Sequence, residues 1–219
     1  MTAIAAVVFD MDGVLVDSEE RWDRARRELV AETGGTWRDD ATHAMMGMSS
    51  PEWSAYVRDE LGVPLSAPEI NTRVVEHLLA GYEEGLPLIP GAVEAVRRVA
   101  ALGRPLGLAS SSNREVIDLV LERAGLADLF SATVSSEEVA RGKPSPDVYL
   151  EALRRLGVAP EAATAVEDSS NGLRAAAAAG MRVVAIPHPA FPPAADALAL
   201  AHVVLAGPDA LDAAAVLGP

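Results

Sequence analysis

The chain has 219 residues, half of them hydrophobic, with 18 lysines and arginines against 32 aspartates and glutamates, so its formal net charge is −14. A surplus of negative charge repels nucleic acid and anionic membranes, and we expect neither as a partner. Cysteine is absent, which excludes disulfides, thiolate catalysis and cysteine-ligated zinc and leaves oxygen or histidine ligands for any metal.

The start of the chain predicts a buried strand. The apolar, β-branched run Ile4 to Phe9 leads straight into an acidic motif, and no basic segment typical of a signal peptide precedes it. No apolar run reaches the roughly 18 residues that a membrane helix needs. We therefore expect a soluble protein of the cytoplasm.

Two aspartates separated by one residue follow this first strand, in the motif DMDGVLVDS that runs from Asp10 to Ser18. Neighbouring side chains of a strand point to opposite faces, so Asp10 and Asp12 can converge only in the turn that Gly13 permits. Like charges held together need a counter-charge, for which a hard cation such as Mg²⁺ is the candidate. The alternative is a plain Asp-Gly turn that caps the next helix.

Residues 18–85 read as purely helical. Amphipathic segments separated by glycine, serine and proline cover Glu19 to Glu32, Pro51 to Leu61 and Pro68 to Tyr82. The stretch 86–91 interrupts this pattern, and a new helix begins at Ala92 behind Pro90-Gly91. We predict a catalytic core of residues 1–17 and 86–219 and a separate helical domain of residues 18–85.

Strand and helix signals alternate after residue 86, which is typical of an α/β fold with a parallel sheet and helices on both faces. The predicted strands are the apolar runs Pro105 to Ala109, Ala132 to Val134, Thr164 to Val166 and Arg182 to Ile186. In such sheets active residues gather at the carboxyl ends of the strands. The residues that follow each strand are therefore the candidate site.

Serines and a lysine come after the second and third strands of the core. Ser110, Ser111 and Asn113 open a helix, where hydroxyl and free N–H groups can hold a phosphate, although an ordinary helix cap is an alternative. Lys143 lies in the stiff turn GKPSPD, and its compact positive charge suits a phosphate or a carboxylate, unless this is only a surface turn.

Two adjacent acids, Glu167 and Asp168, follow the next strand. They could complete an oxygen-ligand metal site with Asp10, although Asp168 could instead cap the following helix. Together the four strand ends supply a carboxylate nucleophile, an acidic metal site and phosphate donors. These are the groups that one phosphoryl-transfer site requires.

The same motifs, in the same order, resemble those of the haloacid dehalogenase-like superfamily of phosphatases and phosphomutases. The matching stretches are DMDGVLVDS, LASSSN with Ser110, GKPSPD with Lys143, and the acidic pair Glu167-Asp168. The resemblance implies a Rossmann-like doubly wound parallel sheet with an inserted α-helical cap domain, and residues 18–85 match that cap in position and length. It covers Asp10 to Gly172.

The resemblance also implies roles for the motif residues. Asp10 would be the nucleophile that forms an aspartyl-phosphate, and Asp12 the general acid and base. Mg²⁺ would be bound by Asp10, Asp168 and the backbone carbonyl of Asp12, with Glu167 as part of the same acidic metal site, orienting the ligands. Ser110 and Lys143 would hold the transferring phosphoryl group.

Within the helical domain, the loop Gly47-Met48-Ser49-Ser50 is the predicted substrate loop, with a plain turn between helices as the alternative. Trp22 could stack on the face of a sugar or could simply pack inside the domain. No role is assigned to any of the four histidines, His43, His77, His188 and His202.

The predicted function is Mg²⁺-dependent hydrolysis of a small phosphate monoester, a sugar phosphate, by a monomer. The alternative is a β-phosphoglucomutase-type enzyme, but such mutases carry a histidine where this chain has Trp22 and an arginine where it has Ser50. A dehalogenase is disfavoured because Asp12 is intact. A non-catalytic binding protein is disfavoured because every catalytic group is present.

Overall fold

The computed structural model describes residues 3–45 and 48–218. In that part of the chain, six strands form one parallel sheet in the order β3-β2-β1-β4-β5-β6. The strands are β1 (Ala6–Phe9), β2 (Leu106–Ser110), β3 (Phe130–Ser135), β4 (Ala163–Glu167), β5 (Arg182–Ala185) and β6 (Val203–Val204). The prediction of a doubly wound parallel sheet is confirmed. β1 and β4 meet where the winding reverses, which is where such sheets bind ligands.

Helices cover both faces of the sheet and form the segment between β1 and β2. They are α1 (Glu19–Glu32), α2 (Ala41–Met45), α3 (Ser50–Asp59), α4 (Ala67–Glu84), α5 (Ala92–Ala100), α6 (Arg114–Arg123), α7 (Asp147–Leu156), α8 (Ser170–Ala178), α9 (Ala195–Leu198) and α10 (Ala213–Leu217). Alternate residues of β1 serve two cores: Val7 and Phe9 join apolar residues of α5 and α6, whereas Ala6 and Val8 join those of α7 and α8. The first strand is therefore buried on both sides.

The helices α1 to α4 pack on one another as a bundle. α4 contacts both α1 and α3, and the apolar side chains of Leu29, Trp53, Val57 and Leu78 are buried. This bundle core is continuous with the core on one face of the sheet. The division of the chain near residues 17 and 86 stays our proposal, with the bundle as its cap domain.

The two connections between bundle and sheet lie side by side. Val16 and Leu88 form an antiparallel bridge, and the N–H of Asp17 donates to the carbonyl of Pro87 at 2.8 Å. The chain therefore leaves the sheet and returns to it at one place.

Some elements differ in extent from the sequence prediction. The helix predicted over Pro51 to Leu61 spans Ser50–Asp59, and α2 was not predicted because five residues show no helical period. β3 begins at Phe130, ahead of the predicted run, because it is an edge strand in which the exposed Ser131 interrupts the apolar pattern. None of the helices in the described ranges combines the length and apolar character that crossing a membrane requires.

Candidate active site

The candidate site forms where β1 and β4 end next to each other. The N–H of Asp10, directly after β1, donates to the carbonyl of Val166 in β4 at 2.9 Å. Asp10 therefore lies level with Glu167 and Asp168. Gly13 makes the following turn with φ 78°, and a Cβ atom there would lie 1.9 Å from Asp168 Oδ2. The turn thus needs glycine both for its backbone angle and for space.

Lys143 contacts two of the carboxylates. Its Nζ donates to Asp10 Oδ1 at 2.8 Å and to Glu167 Oε1 at 2.6 Å. It also lies 4.9 Å from the centroid of the Tyr149 ring. All of these side chains are buried. Of the two partners considered for Lys143, a phosphate or a carboxylate, the contacts in this structure are with carboxylates.

Burial shapes the charges of this cluster. The pKa of Asp10 is raised to about 8, first by burial and then by Glu167, and Lys143 only partly opposes the shift. Burial, and after it Glu167 and Asp10, also raises the pKa of Asp168 well above its usual value. Burial alone would lower the pKa of Lys143, but Asp10 and Glu167 outweigh burial and hold it above the usual range. More negative charge converges here than one lysine neutralises.

The cluster fits a divalent cation with oxygen ligands. Asp10, Glu167 and Asp168 each offer one carboxylate oxygen, and these atoms lie within 4.8 Å of one another. Oδ1 of Asp168 is buried and has no hydrogen-bond partner among the described residues. A buried carboxylate oxygen without a donor is costly unless a cation completes it. An all-oxygen set of this kind suits Mg²⁺.

Glu167 is already engaged by protein donors. Its Oε1 accepts from Lys143 and from the hydroxyl of Tyr149 at 2.7 Å, and its Oε2 accepts from the N–H groups of Asp168 and Ser169 at 3.1 and 3.3 Å. These contacts hold the Glu167 carboxylate against Lys143. Of the acids predicted as metal ligands, Glu167 is the one whose contacts suit positioning of the lysine.

Asp12 points toward the hydroxyl-bearing loops. Ser18 Oγ donates to its Oδ1 at 2.6 Å, and Ser110 Oγ and Ser112 Oγ donate to its Oδ2 at 3.2 and 2.7 Å. The Nε1 of Trp22 also faces Oδ1, at 3.4 Å. The carboxylate of Asp12 is thus outside the three-carboxylate group, and its contribution to a metal would come from the backbone.

Residues 110–113, at the end of β2, form the serine loop. The phosphate-binding residues predicted in this loop do not all face the cavity. Ser111 lines the cavity above Asp10, and the buried Ser110 accepts from the N–H of Ser112 at 2.9 Å. The buried Asn113 instead faces the helical bundle, because it accepts from Ser50 Oγ at 2.9 Å and donates to Asn71 Oδ1 at 3.2 Å. Its side chain connects core and bundle and does not line the cavity.

The predicted substrate loop of the bundle contacts the core. Gly47 lies outside the described residues. Ser49 caps α3, with its N–H and Oγ donating to Glu52 Oε2 at 2.8 and 2.6 Å, and Ser50 donates to Asn113. Both serines are buried, and neither lines the cavity.

Trp22 packs inside the bundle and does not line the cavity. Its ring lies 5.9 Å from that of Trp53, and the guanidinium of Arg26 lies 5.2 and 5.0 Å from the two ring centroids. Packing was one of the two interpretations of this residue. Its N–H toward Asp12 is a feature that the sequence did not indicate.

A cavity of about 450 Å³ opens over the acidic cluster. Besides Asp10, Asp12, Lys143 and Asp168, its lining includes residues for which the sequence indicated no role, namely Asp17, Glu19, His43, His188 and Phe191. Their convergence depends on how loops fold, and the sequence carries no short-range signal for it. Ser112, by contrast, stood in the SSSN run and could have been named as a donor.

The chain is similar in sequence to known hydrolases. The sequence model of a family described as haloacid dehalogenase-like hydrolase matches residues 4–180. Hexitol phosphatase B of Escherichia coli (strain K12) is 38% identical over 191 residues, which cover 85% of this chain and 85% of that protein. The phosphorylated carbohydrates phosphatase of Thermotoga maritima is 35% identical over 185 residues, covering 84% of this chain and 85% of that protein.

A solved structure is similar over nearly the whole chain. The crystal structure of a mutant of CbbY from Rhodobacter sphaeroides in complex with xylulose-(1,5)bisphosphate has a TM-score of 0.85 and 32% sequence identity, and the match covers 95% of this chain and 96% of that one. The similarity therefore includes the helical bundle as well as the sheet.

Proposed function

This chain belongs to the haloacid dehalogenase-like hydrolase family, and from that membership we propose that it hydrolyses a small phosphate monoester through an aspartyl-phosphate intermediate. The observation that carries the proposal is the buried pairing of Asp10 with Lys143 at the cavity. A carboxylate that attacks an anionic phosphate needs a fixed positive charge beside it, and Lys143 supplies one.

Asp10 is the nucleophile of the first step. One of its carboxylate oxygens forms a bond to phosphorus while the bond from phosphorus to the leaving-group oxygen breaks. Asp12, protonated at this point, transfers its proton to that oxygen, so the leaving group departs as an alcohol. The hydroxyls of Ser18 and Ser112, 2.6 and 2.7 Å from its two oxygens, hold the Asp12 carboxyl group in place.

Water takes the place of the alcohol in the second step. Asp12 accepts a proton from the water molecule as the water oxygen bonds to phosphorus, and the bond from phosphorus to Asp10 breaks. Inorganic phosphate leaves, Asp10 is again a carboxylate and Asp12 is again protonated. The cycle consumes one water molecule for each monoester.

The phosphate-binding part of the site consists of Ser111 and Lys143, which line the cavity, and of Ser110, which is buried beside Asp12. These groups would donate to the phosphoryl oxygens that do not react. Lys143 is kept in place by its contacts with Glu167, which Tyr149 in turn holds by its hydroxyl. Glu167 and Tyr149 are therefore positioning residues in this proposal.

Mg²⁺ fits the acidic cluster, where Asp10, Asp168 and the backbone carbonyl of Asp12 would hold it. When bound, the ion would supply positive charge that offsets the negative charge of the carboxylates and of the phosphoryl group. The unpartnered Oδ1 of Asp168 supports this assignment.

A sugar phosphate or polyol phosphate is the substrate that we propose. The relatives whose names state an activity include a hexitol phosphatase and a phosphatase of phosphorylated carbohydrates. A cavity of about 450 Å³ is in the range of sites for small metabolites.

The mutase alternative finds less support at the site. The residues at positions 22 and 50, where β-phosphoglucomutases of the resemblance carry histidine and arginine, are Trp22 and Ser50, and neither side chain lines the cavity. A second phosphate would therefore find no guanidinium at position 50 to hold it.

Phosphate release tests the proposal directly. The panel should contain sugar, polyol, glycolate and nucleotide monophosphates and p-nitrophenyl phosphate, each assayed with Mg²⁺ and with EDTA. We expect Mg²⁺-dependent release from p-nitrophenyl phosphate and from at least one sugar or polyol phosphate. Equal turnover in EDTA would contradict the metal assignment, and conversion of β-glucose 1-phosphate to glucose 6-phosphate without net release would identify a mutase.

A further inference from the structure

The loop of residues 187–194, which follows β5, is attached to the candidate site at three points. Just before it, the N–H of Ile186 donates to the carbonyl of Glu167 at 2.7 Å, and at its end the N–H of Ala194 donates to Ser170 Oγ at 2.8 Å. Between these anchors, His188 Nε2 lies 3.4 Å from Asp17 Oδ1. The loop is therefore held against the acidic motifs that carry the reaction.

Inside this loop, two rings form a stacked pair that lines the cavity. The rings of His188 and Phe191 have centroids 5.4 Å apart and planes inclined by 20°. The N–H of Phe191 donates to the carbonyl of His188 at 3.2 Å, and that of Ala190 donates to His188 Nδ1 at 3.3 Å. Pro192 and Pro193 follow and restrict the backbone. The rings are thus arranged before any ligand arrives.

Most of the charged side chains that line the cavity are acidic. Asp17 and Glu19 line the cavity together with the acidic cluster, and Lys143 is the one lysine or arginine among its described lining residues. Lys143 is already paired with Asp10 and Glu167. His188 lies beside Asp17, and the buried Arg26 acts on Glu19. A second phosphate or a carboxylate on the substrate would still find no lysine or arginine besides Lys143 among the described lining residues, which is unfavourable.

We propose that loop 187–194 and Glu19 form the leaving-group part of the cavity and select an uncharged, hydroxyl-bearing carbon skeleton. The His188–Phe191 pair packs against the C–H face of the skeleton, and Glu19 accepts hydrogen bonds from hydroxyls and repels anions. The inference rests on the proposed phosphatase function and deepens it, because it places selection on a core loop and on α1, away from Ser49 and Ser50.

Two matched substrates test the charge selection. Glycerol 3-phosphate and 3-phosphoglycerate differ in a hydroxymethyl group against a carboxylate, and kcat/KM is measured for each by phosphate release. We expect the wild-type enzyme to favour glycerol 3-phosphate by at least about tenfold. Glu19→Gln should reduce this ratio severalfold, whereas Glu20→Gln, which changes an exposed neighbour, should leave it unaltered.

The aromatic pair is tested with the best sugar or polyol phosphate of the panel. Phe191→Ala should raise KM by about tenfold with a smaller change in kcat, because packing against the skeleton is lost. Leu200→Ala, an exposed apolar residue that does not line the cavity, is the control. Unfolding midpoints measured alongside show that each variant is folded.

Failure of the inference is distinguishable from failure of the proposed function. If p-nitrophenyl phosphate is hydrolysed but the carboxylate substrate is used equally well, or the Glu19 and Phe191 variants match wild type, the inference is wrong and the phosphatase function stands. If p-nitrophenyl phosphate and the whole panel are inert, both are wrong.

Discussion

The buried cluster of Asp10, Lys143 and Glu167 and the leaving-group part of the cavity are built differently. Asp10, Lys143 and Glu167 are at most 5% exposed, and Lys143, from the turn before α7, contacts the two carboxylates at the ends of β1 and β4 at 2.8 and 2.6 Å. His188 and Phe191 are half-buried on a loop, and His188 reaches Asp17 only at 3.4 Å. In the proposed mechanism, the chemistry depends on this buried cluster, whereas substrate selection depends on a loop that can change without disturbing it.

The largest expected effect on activity comes from a change in the buried cluster. Asp10→Asn removes the nucleophile while keeping its size, and we expect initial rates with p-nitrophenyl phosphate and Mg²⁺ to fall by at least about a thousandfold. Asp128→Asn, at an exposed position, is the control. Appreciable turnover by the Asp10 variant would show that the chemistry does not depend on this strand end.

Gly13→Ala crowds the acidic cluster without removing any charge. A Cβ atom at position 13 collides with Asp168, so we expect kcat/KM to fall by about a hundredfold. Gly34→Ala is matched in backbone, with φ 76°, but has open space around its Cβ. It should cost about 1–2 kcal/mol of stability through strain alone and keep full activity. Equal activity of the two variants would contradict the role of close approach.

Trp22→Phe measures how far the bundle supports the chemistry. The change keeps a ring beside Arg26 but removes the N–H that faces Asp12 at 3.4 Å, so kcat should fall severalfold. Trp53→Phe alters the same stack without a contact to Asp12. The prediction is wrong if both variants lower kcat equally.

The smallest effect is one of pH on the metal-free protein. The pKa of Asp10 is raised from 3.8 to about 8, so this group favours the fold fully below pH 3.8 and progressively less as the pH rises through 8. We expect the Tm in EDTA to fall by a few degrees between about pH 5 and pH 8, and Mg²⁺ to raise Tm more at the higher pH. Asp10→Asn should flatten the slope; an unchanged slope would contradict the assignment.

The meeting of the catalytic and phosphate-binding residues could be predicted from the sequence, because the carboxyl ends of parallel strands lie at one edge of the sheet. Asp10, Ser110, Lys143 and Asp168 each follow a readable strand or turn, so their meeting follows from the fold class. The predictions of fold, family and phosphatase class are confirmed, and the role of each site residue stays a prediction.

The leaving-group part could not be predicted because no local pattern shows where a loop lies. His188 and Phe191 reach the cavity through the path of loop 187–194, which depends on contacts with distant residues. The predicted substrate loop, by contrast, does carry a local signal. Ser49 and Glu52 are spaced as a capping box, a pattern that is typical of a helix start.

The paired connections at Val16 and Leu88 have a mechanical consequence. Because both connections cross at one place, the position of the bundle over the sheet also depends on contacts elsewhere. The continuous apolar core and the hydrogen bond from Ser50 to Asn113 are two of these contacts. Because Asn113 is the last residue of the serine loop, the second contact holds the bundle next to the groups that would hold the phosphate.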